Sequence, residues 1–567
     1  MTAMLSDEQA EIVALPLGPL AISACAGSGK TRTAVHRLAA MSRLYDGRGI
    51  VALLSFSNVA VDTFSKEYAA LVRDMPVTGR SANVEIDTMD GFITTNVLRP
   101  HGHRVMNCPR VPFLVDGAEP FLNSFTVWDG SRPRPTTEID FACDGANFKF
   151  LIGKNKTELP ANWAAPAVAS LGKTGAYTHN AGRYWVLRVL REKPFVLRAL
   201  ARCYPHILVD EAQDIGPEHQ AVLELLIGAG SQVSLIGDPH QGIFDFARAK
   251  GAFLKAYGDR TGIAARSLTV NYRSLPPIVS VANRLIGARD TAARVATTEQ
   301  PSAYYMPYKA SSRDAALDSF RSLLVAAGVD PVNGVVLCRS NDLTAEWRGE
   351  MDAQGVGVVR CLAEAALSRE RRDFLRAYQQ TCRGLTGLLA PKHGSLAVDL
   401  AQPADETMRV LRRRIWAFVR DPVLGLPAAS LVADTSWHPA LKARVTSLIA
   451  VLSAEFGLQA AENLGQRLAK KQLANAPLLA PPILTGAVGS SFRTSTVHRV
   501  KGESLDAVLY VAKKSHVRAL LDGTDTEDGR IGYVALTRAK DLFVLAVPDT
   551  ALRAFEPELQ AAGMVRA

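Results

Sequence analysis

Residues 20–31 read Leu-Ala-Ile-Ser-Ala-Cys-Ala-Gly-Ser-Gly-Lys-Thr, an apolar run that breaks into a glycine-containing turn closed by Lys30 and Thr31. The run predicts a buried strand over Leu20–Ala24, and the spacing after the turn predicts a helix over Thr31–Met41. A turn of this kind between strand and helix wraps phosphates in backbone N–H groups. It also sets a lysine charge on the β- and γ-phosphates and a hydroxyl on magnesium. Ala26, Gly27, Ser28, Gly29, Lys30, Thr31 and Arg32 are therefore the candidate phosphate-binding residues, with Thr31 also a metal ligand. The first loop position is Ala24, where the usual pattern has glycine. A second stretch, Ile207-Leu-Val-Asp-Glu-Ala-Gln-Asp214, is an apolar strand ending in adjacent carboxylates. Asp210 is placed to complete a magnesium shell and Glu211 to polarise a water. Together the two stretches predict hydrolysis of a nucleoside triphosphate.

Further short apolar runs, Ile50–Ser55 and Val233–Gly237, alternate with helical patterns, as in parallel-sheet units whose ligands sit beyond the carboxyl ends of the strands. A second alternating region begins near Arg266, with strands expected at Val335–Cys338, Ala507–Val511 and Leu542–Val547. Prolines at 100, 109, 112, 120, 133, 135, 160 and 166 make residues 100–170 an irregular insertion. Helical spacing returns over Tyr184–Ala201. Residues 385–490 read as helical, with Val445, Leu448, Ile449, Leu452 and Phe456 on one face. The chain of 567 residues carries a formal charge of +10, modest support for a polyanionic partner. Seven scattered cysteines with no C-x-x-C pair argue for a reducing cytosol and against a zinc or iron–sulfur site. The sequence has no signal pattern at its start and no apolar run near the ~20 residues that span a bilayer, so a cytoplasmic protein without membrane contact is expected.

With Asp-Glu-Ala-Gln-Asp at 210–214, the chain resembles the superfamily 1 DNA helicases of the UvrD/Rep type, and the other segments follow in that family's order. Leu5-Ser-Asp-Glu-Gln9 resembles the glutamine motif that reads adenine. Leu54-Ser-Phe-Ser-Asn58 resembles the strand-contacting motif. Thr88-Met-Asp-Gly-Phe92 stands where the family has T-x-H-S-F, so Asp90 replaces a histidine. Ile236-Gly-Asp-Pro-His-Gln241 with Gly-Ile-Phe244-Asp-Phe246 resembles G-D-x-x-Q-S-I-Y-x-W/F. Val270-Asn-Tyr-Arg-Ser274 matches N-Y-R-S. Thr496-Val-His498-Arg-Val-Lys501-Gly502-Glu-Ser-Leu505 resembles T-x-H-x-x-K-G-L-E-F, with Glu503-Ser504 reversing the usual acidic position. Tyr533-Val-Ala-Leu-Thr-Arg538-Ala-Lys540 matches Y-V-A-x-T-R-A-K/R.

The resemblance implies an α/β protein of two RecA-like parallel-sheet motor domains, each with an insertion, using ATP and Mg2+. The expected boundaries are 1–100 and 193–262 for the first motor domain, 101–192 for its insertion, 263–384 and 488–567 for the second, and 385–487 for a short helical insertion. Gln9 and Gly502 join the nucleotide-binding set. Arg273 and Arg538, from the second sheet, would reach the γ-phosphate held by the first and stabilise charge on the transferred group. Gln241 would sense that phosphate or its water. Phe56, Phe244 and Phe246 are candidates for stacking on bases of a single strand, with core packing as the ordinary alternative. Asn58, Thr88, Thr496 and His498 are candidates for contacts to the strand's phosphates. Arg412-Arg-Arg414, beside Trp416, reads as a solvated helix face or, more sharply, as a duplex contact.

The reading is an ATP-dependent translocase and helicase on single-stranded DNA and single/double-strand junctions, with 3′-to-5′ travel implied by the resemblance alone. With the last motif close to residue 567, a C-terminal nuclease domain is not expected. The alternative is therefore a DNA-stimulated ATPase that regulates a separate nuclease partner, as in a Gabija-like anti-phage system.

Overall fold

The computed structural model describes residues 5–73, 83–109, 111–115, 119–144, 147–153, 155–243, 251–296, 301–309, 312–347, 354–370, 372–390, 393, 396–401, 405–478 and 492–567. The chain divides into two compact units, Asp342–Ser491 and the remainder.

The larger unit holds two six-stranded sheets. The first comprises β1 (Leu20–Ala24), β2 (Ile50–Ser55), β3 (Asn83–Thr88), β4 (His206–Val209), β5 (Gln232–Gly237) and β6 (Ala264–Leu268), in the order β6-β1-β5-β4-β2-β3. Every pairing is parallel. Strands of an all-parallel sheet are covered on both faces, which is why β2 and β4 read as near-continuous apolar runs. Ala264–Leu268 falls beyond the 262/263 boundary drawn from the sequence, yet it pairs along its whole length with β1. As an edge strand, Ala-Ala-Arg-Ser-Leu is only half covered and shows no apolar run.

The second sheet comprises β7 (Ala303–Tyr308), β8 (Gly334–Cys338), β9 (Arg493–Thr496), β10 (Leu505–Val511), β11 (Ala539–Pro548) and β12 (Val565–Arg566), in the order β9-β8-β10-β11-β7-β12. It too is parallel throughout. Two RecA-like domains are thus present, each with its own apolar core. One core gathers around Leu54, Val209 and Leu235, the other around Leu337, Val508 and Leu545. Crossover helices follow β1 (Lys30–Leu44) and β2 (Asn58–Arg73).

Between β3 and β4 the proline-rich stretch forms small sheets: Thr126–Trp128 with Pro133–Pro135, and Asp140–Asp144 with Asn147–Ile152 and Thr157–Leu159. Helices Ala161–Gly172, His179–Glu192 and Pro194–Cys203 then lead back to β4. The smaller unit is helical around a core that includes Leu362, Leu385, Ile415, Trp437 and Val445. It takes in the 385–487 range and begins earlier, at Asp342; Val358–Glu370 and Phe374–Thr386 pack together within it. Among the described residues, no helix is long and apolar enough to cross a membrane.

Candidate active site

The phosphate loop leaves β1 and enters the helix Lys30–Leu44 at Gly29. Gly27 and Gly29 take φ of +71° and +78°, a conformation that costs an L-residue about 1–2 kcal/mol, so glycine is required there. The N–H groups of the first helical turn face the loop and make it an anion cradle. Ala26 and Ser28 are buried, and the Ser28 hydroxyl donates to the Cys25 carbonyl at 2.9 Å. Lys30 Nζ donates to the same carbonyl at 3.0 Å. Thr31 and Arg32 begin the helix. Gln9, buried under the loop, donates from Nε2 to the Ser28 carbonyl at 2.9 Å.

Across the loop lies Val270–Ser274. Its Tyr272 N–H donates to the Gly27 carbonyl at 2.9 Å. Asn271 Oδ1 accepts from the N–H groups of Arg273 and Ser274, both at 2.8 Å, so the segment is tied into a tight turn. The fit is close: a Cβ on Gly27 would lie 2.7 Å from Arg273 Cβ. Sequence reasoning left Tyr272 unused; it is 41% exposed, and its N–H holds the loop.

Asp210 follows β4, and its Oδ1 is buried without a partner. Burial, then the Glu211 charge, raises its pKa. Glu211 has φ +54°, an uncommon backbone state that turns its side chain at the strand end. Burial disfavours its charge, but Lys501 and Lys30 outweigh that and hold it below the usual carboxylate range. Gln213 was also missed. Its Nε2 donates to Glu211, and its Oε1 accepts from the Asp238 N–H at 3.0 Å, linking the ends of β4 and β5. Asp238 Oδ2 is likewise buried and unpartnered.

The second sheet meets this cluster directly. Arg538 Nη2 donates to Gln241 Oε1 at 2.8 Å, and Gln241 Nε2 donates to Thr537 Oγ1 at 3.2 Å. Arg273 donates to Ser504 Oγ at 2.8 Å and to the Thr537 carbonyl at 2.9 Å. Burial, and for Arg273 the neighbouring Arg538 charge, lower the pKa of both guanidinium groups. Lys501 Nζ lies 2.7 Å from Asp214 Oδ1, with both side chains nearly enclosed. Gly502, at φ +90°, follows it. Orphaned carboxylate oxygens facing crowded cations fit a bound magnesium–triphosphate. Thr31 and Asp210 would hold the metal, which would shield phosphate charge, while Lys30, Arg273 and Arg538 would take the phosphates.

The expected DNA contacts divide. Phe56, Asn58 and Thr88 line one cleft of about 460 Å³, together with Asp90 and Arg183. Phe56 packs edge-on against His219, with ring centroids 5.5 Å apart. Thr88 Oγ1 accepts from the Gly91 N–H at 2.9 Å and caps the short helix that carries Asp90. Thr496 is buried at the end of β9. His498 Nε2 is 3.1 Å from the Ile243 carbonyl. Phe244 and Phe246 lie outside the described residues. In the helical unit, Arg413 and Arg414 pair with Glu406 and Glu455 at 2.6 and 2.8 Å, a solvated helix face, and Trp416 stacks on Tyr378 at 4.5 Å.

Arg538 precedes β11 of the second sheet, but Arg273, expected there, lies just after β6 of the first, on a segment whose strand pairing is with Thr291–Ala292. Paired RecA-like sheets with a phosphate loop on one, Arg538 brought from the other and Arg273 beside the loop define a nucleoside-triphosphate-driven motor. The family model for the UvrD/REP helicase N-terminal domain matches residues 5–141 and 175–260. The ATP-dependent DNA helicase UvrD2 of Mycobacterium tuberculosis (strain H37Rv) is 26% identical over 592 residues, covering 95% of this chain and 78% of the relative. DNA helicase II of Escherichia coli (strain K12) is 27% identical over 302 residues, half of this chain and 40% of the relative. The ATP-dependent DNA helicase PcrA of Leuconostoc citreum is 23% identical over 315 residues. Over these residues the chain is similar to the UvrD/Rep-like superfamily 1 helicases.

Proposed function

We propose that this protein couples ATP hydrolysis to 3′-to-5′ movement along single-stranded DNA and to unwinding at single/double-strand junctions. The observation that carries this reading is the Arg538–Gln241 contact. It brings a guanidinium of the second RecA-like domain to the strand-end carboxylates Glu211 and Asp238 of the first. Lys30 and the loop N–H groups bind the triphosphate, Glu211 orients the attacking water, and Arg273 and Arg538 stabilise charge as the bond breaks. The Phe56–Asn58–Thr88 cleft supports a grip on a flexible strand, since an aromatic face holds any base and polar groups hold phosphates.

The test is ATP turnover with and without oligo(dT), followed by strand separation on substrates with 3′ or 5′ tails. Turnover that rises strongly with DNA, and unwinding confined to 3′ tails, is expected. Equal turnover with and without DNA at every length overturns the motor. DNA-stimulated turnover without unwinding favours an ATPase that serves a separate nuclease.

A further inference from the structure

Asp90 occupies a motif position where the family's pattern has histidine, and it is tied to two residues distant in sequence. Arg183, from the helix His179–Glu192, donates from Nε to Asp90 Oδ1 at 2.8 Å and from Nη2 to Oδ2 at 2.6 Å. His219, on the helix Pro217–Gly228, places Nε2 2.9 Å from Asp90 Oδ1. The His219 ring also meets Phe56 edge-on, with centroids 5.5 Å apart. One carboxylate thus fixes a guanidinium by two parallel bonds and, through an imidazole, braces an aromatic ring. Asp90, Arg183 and Phe56 all line the same cleft. Burial works against the Asp90 charge, but the bonds from Arg183 and His219 hold the carboxyl well below the usual range, so it is ionised at neutral pH.

We infer that Asp90 is a positioning residue for nucleic acid, orienting Arg183 as a clamp on a single-strand phosphate beside the Phe56 base platform. The inference rests on the single-strand reading of the cleft. A negative charge in a cleft for a polyanion is costly unless it organises something more favourable. A guanidinium held by one edge keeps its Nη1 group for a further acceptor, and a pre-oriented fork loses less freedom on binding a phosphate than a free side chain. His219 gives the stacking ring a fixed wall, so base and phosphate contacts are set together.

Coulomb's law and positioning predict opposite signs. Deleting a carboxylate should tighten binding of a polyanion if its charge alone matters, and loosen it if Arg183 depends on it. The measurement is fluorescence anisotropy of labelled oligo(dT) across a salt series, on the full chain without nucleotide, with melting temperatures alongside. Asp90→Ala is expected to weaken binding about tenfold, and Asp90→Asn, which preserves size but not the two-bond pairing, several-fold. Arg183→Ala is expected to weaken binding about tenfold and to reduce the log–log salt slope by about 0.7, the value of one phosphate. The double variant should bind no more weakly than Arg183→Ala alone. If Asp90→Ala melts early, Asp90→Asn carries the test. Tighter or unchanged binding in Asp90→Asn, or additive losses in the double variant, overturns the positioning role alone. Failure of the unaltered protein to bind oligo(dT) overturns the single-strand reading with it.

Discussion

Arg538 ends the helix before β11 of the second sheet and Gln241 lies in the loop after β5 of the first, and the guanidinium donates 2.8 Å to the amide oxygen. The amide nitrogen of Gln241 in turn donates to Thr537, the residue before Arg538. Any change in the γ-phosphate that draws on Arg538 must therefore change what holds Gln241. Arg538→Ala and Arg273→Ala should each lower maximal turnover, by about 10³-fold since two groups share the task, with a smaller change in ATP affinity. Steady-state kinetics with an independent nucleotide-binding titration separate the two effects. A large rise in dissociation constant at unchanged maximal rate would assign the arginines to ground-state binding.

Glu211→Gln should stop hydrolysis while nucleotide still binds, because the amide keeps the shape but not the basicity that orients water. Lys30→Ala should impair binding and turnover together. Near-normal turnover in Glu211→Gln would move the catalytic role to another carboxylate, with Asp238 next in line.

Gly27→Ala and Gly502→Ala should differ in kind. Both positions have positive φ, so each change costs about 1–2 kcal/mol of stability. A Cβ on Gly27 would also lie within 2.8 Å of Arg273 and Asn271, whereas one on Gly502 meets nothing within 4 Å. Turnover should collapse in the first variant and survive better in the second at temperatures where both are folded. Equal loss in both would mean that Arg273 tolerates displacement.

The buried Asp214–Lys501 pair gives a pH signature. Burial pushes the Asp214 carboxyl up from 3.8 to about 6, against the pull of Lys501 and with the push of Glu211. The folded state thus holds this proton more tightly than the unfolded state. Its contribution to stability is full below about pH 4 and is lost as pH rises through about 6. The melting temperature of the unaltered protein minus that of Asp214→Asn should fall over that window. A difference that grows with pH would mean that Lys501 outweighs the cost of burial.

Phe56→Ala should weaken oligo(dT) binding by about 1–3 kcal/mol with little change in salt slope, as expected for a stacking contact. A variant that binds normally yet melts clearly earlier would make Phe56 a core residue.

The sequence reveals chemistry best where chemistry demands neighbours. The phosphate loop and Asp210–Glu211 are each a contiguous stretch, so the strand and turn that carry each can be read locally. The apolar runs of β2 and β4 are legible because both faces of a parallel sheet are covered. Ala264–Leu268 hides its membership because an edge strand is half exposed. Asp90, Arg183 and His219 meet from positions 93 and 129 residues apart, with no local pattern to announce them. Gln213 sits inside a recognised motif, but its bond to the Asp238 N–H depends on the register of two parallel strands. The early start of the helical unit is masked because Val358–Glu370 carries ordinary amphipathic spacing that suits either unit.

Gln9 does two jobs with one amide. Its Oε1 accepts from the Ser6 N–H at 3.2 Å and closes the capping box of helix Asp7–Ala14, while its Nε2 holds the Ser28 carbonyl. A base that calls on this amide must share it with the start of a helix and with the floor of the phosphate loop. A base whose donors and acceptors suit the remaining amide hydrogen and lone pair can join without disturbance. One with the opposite pattern must pull the amide round, fraying the helix end and loosening the loop together. Base selectivity would then be enforced by the folding of the chain's first helix, and the wrong nucleotide would be rejected by local melting as much as by a missing hydrogen bond.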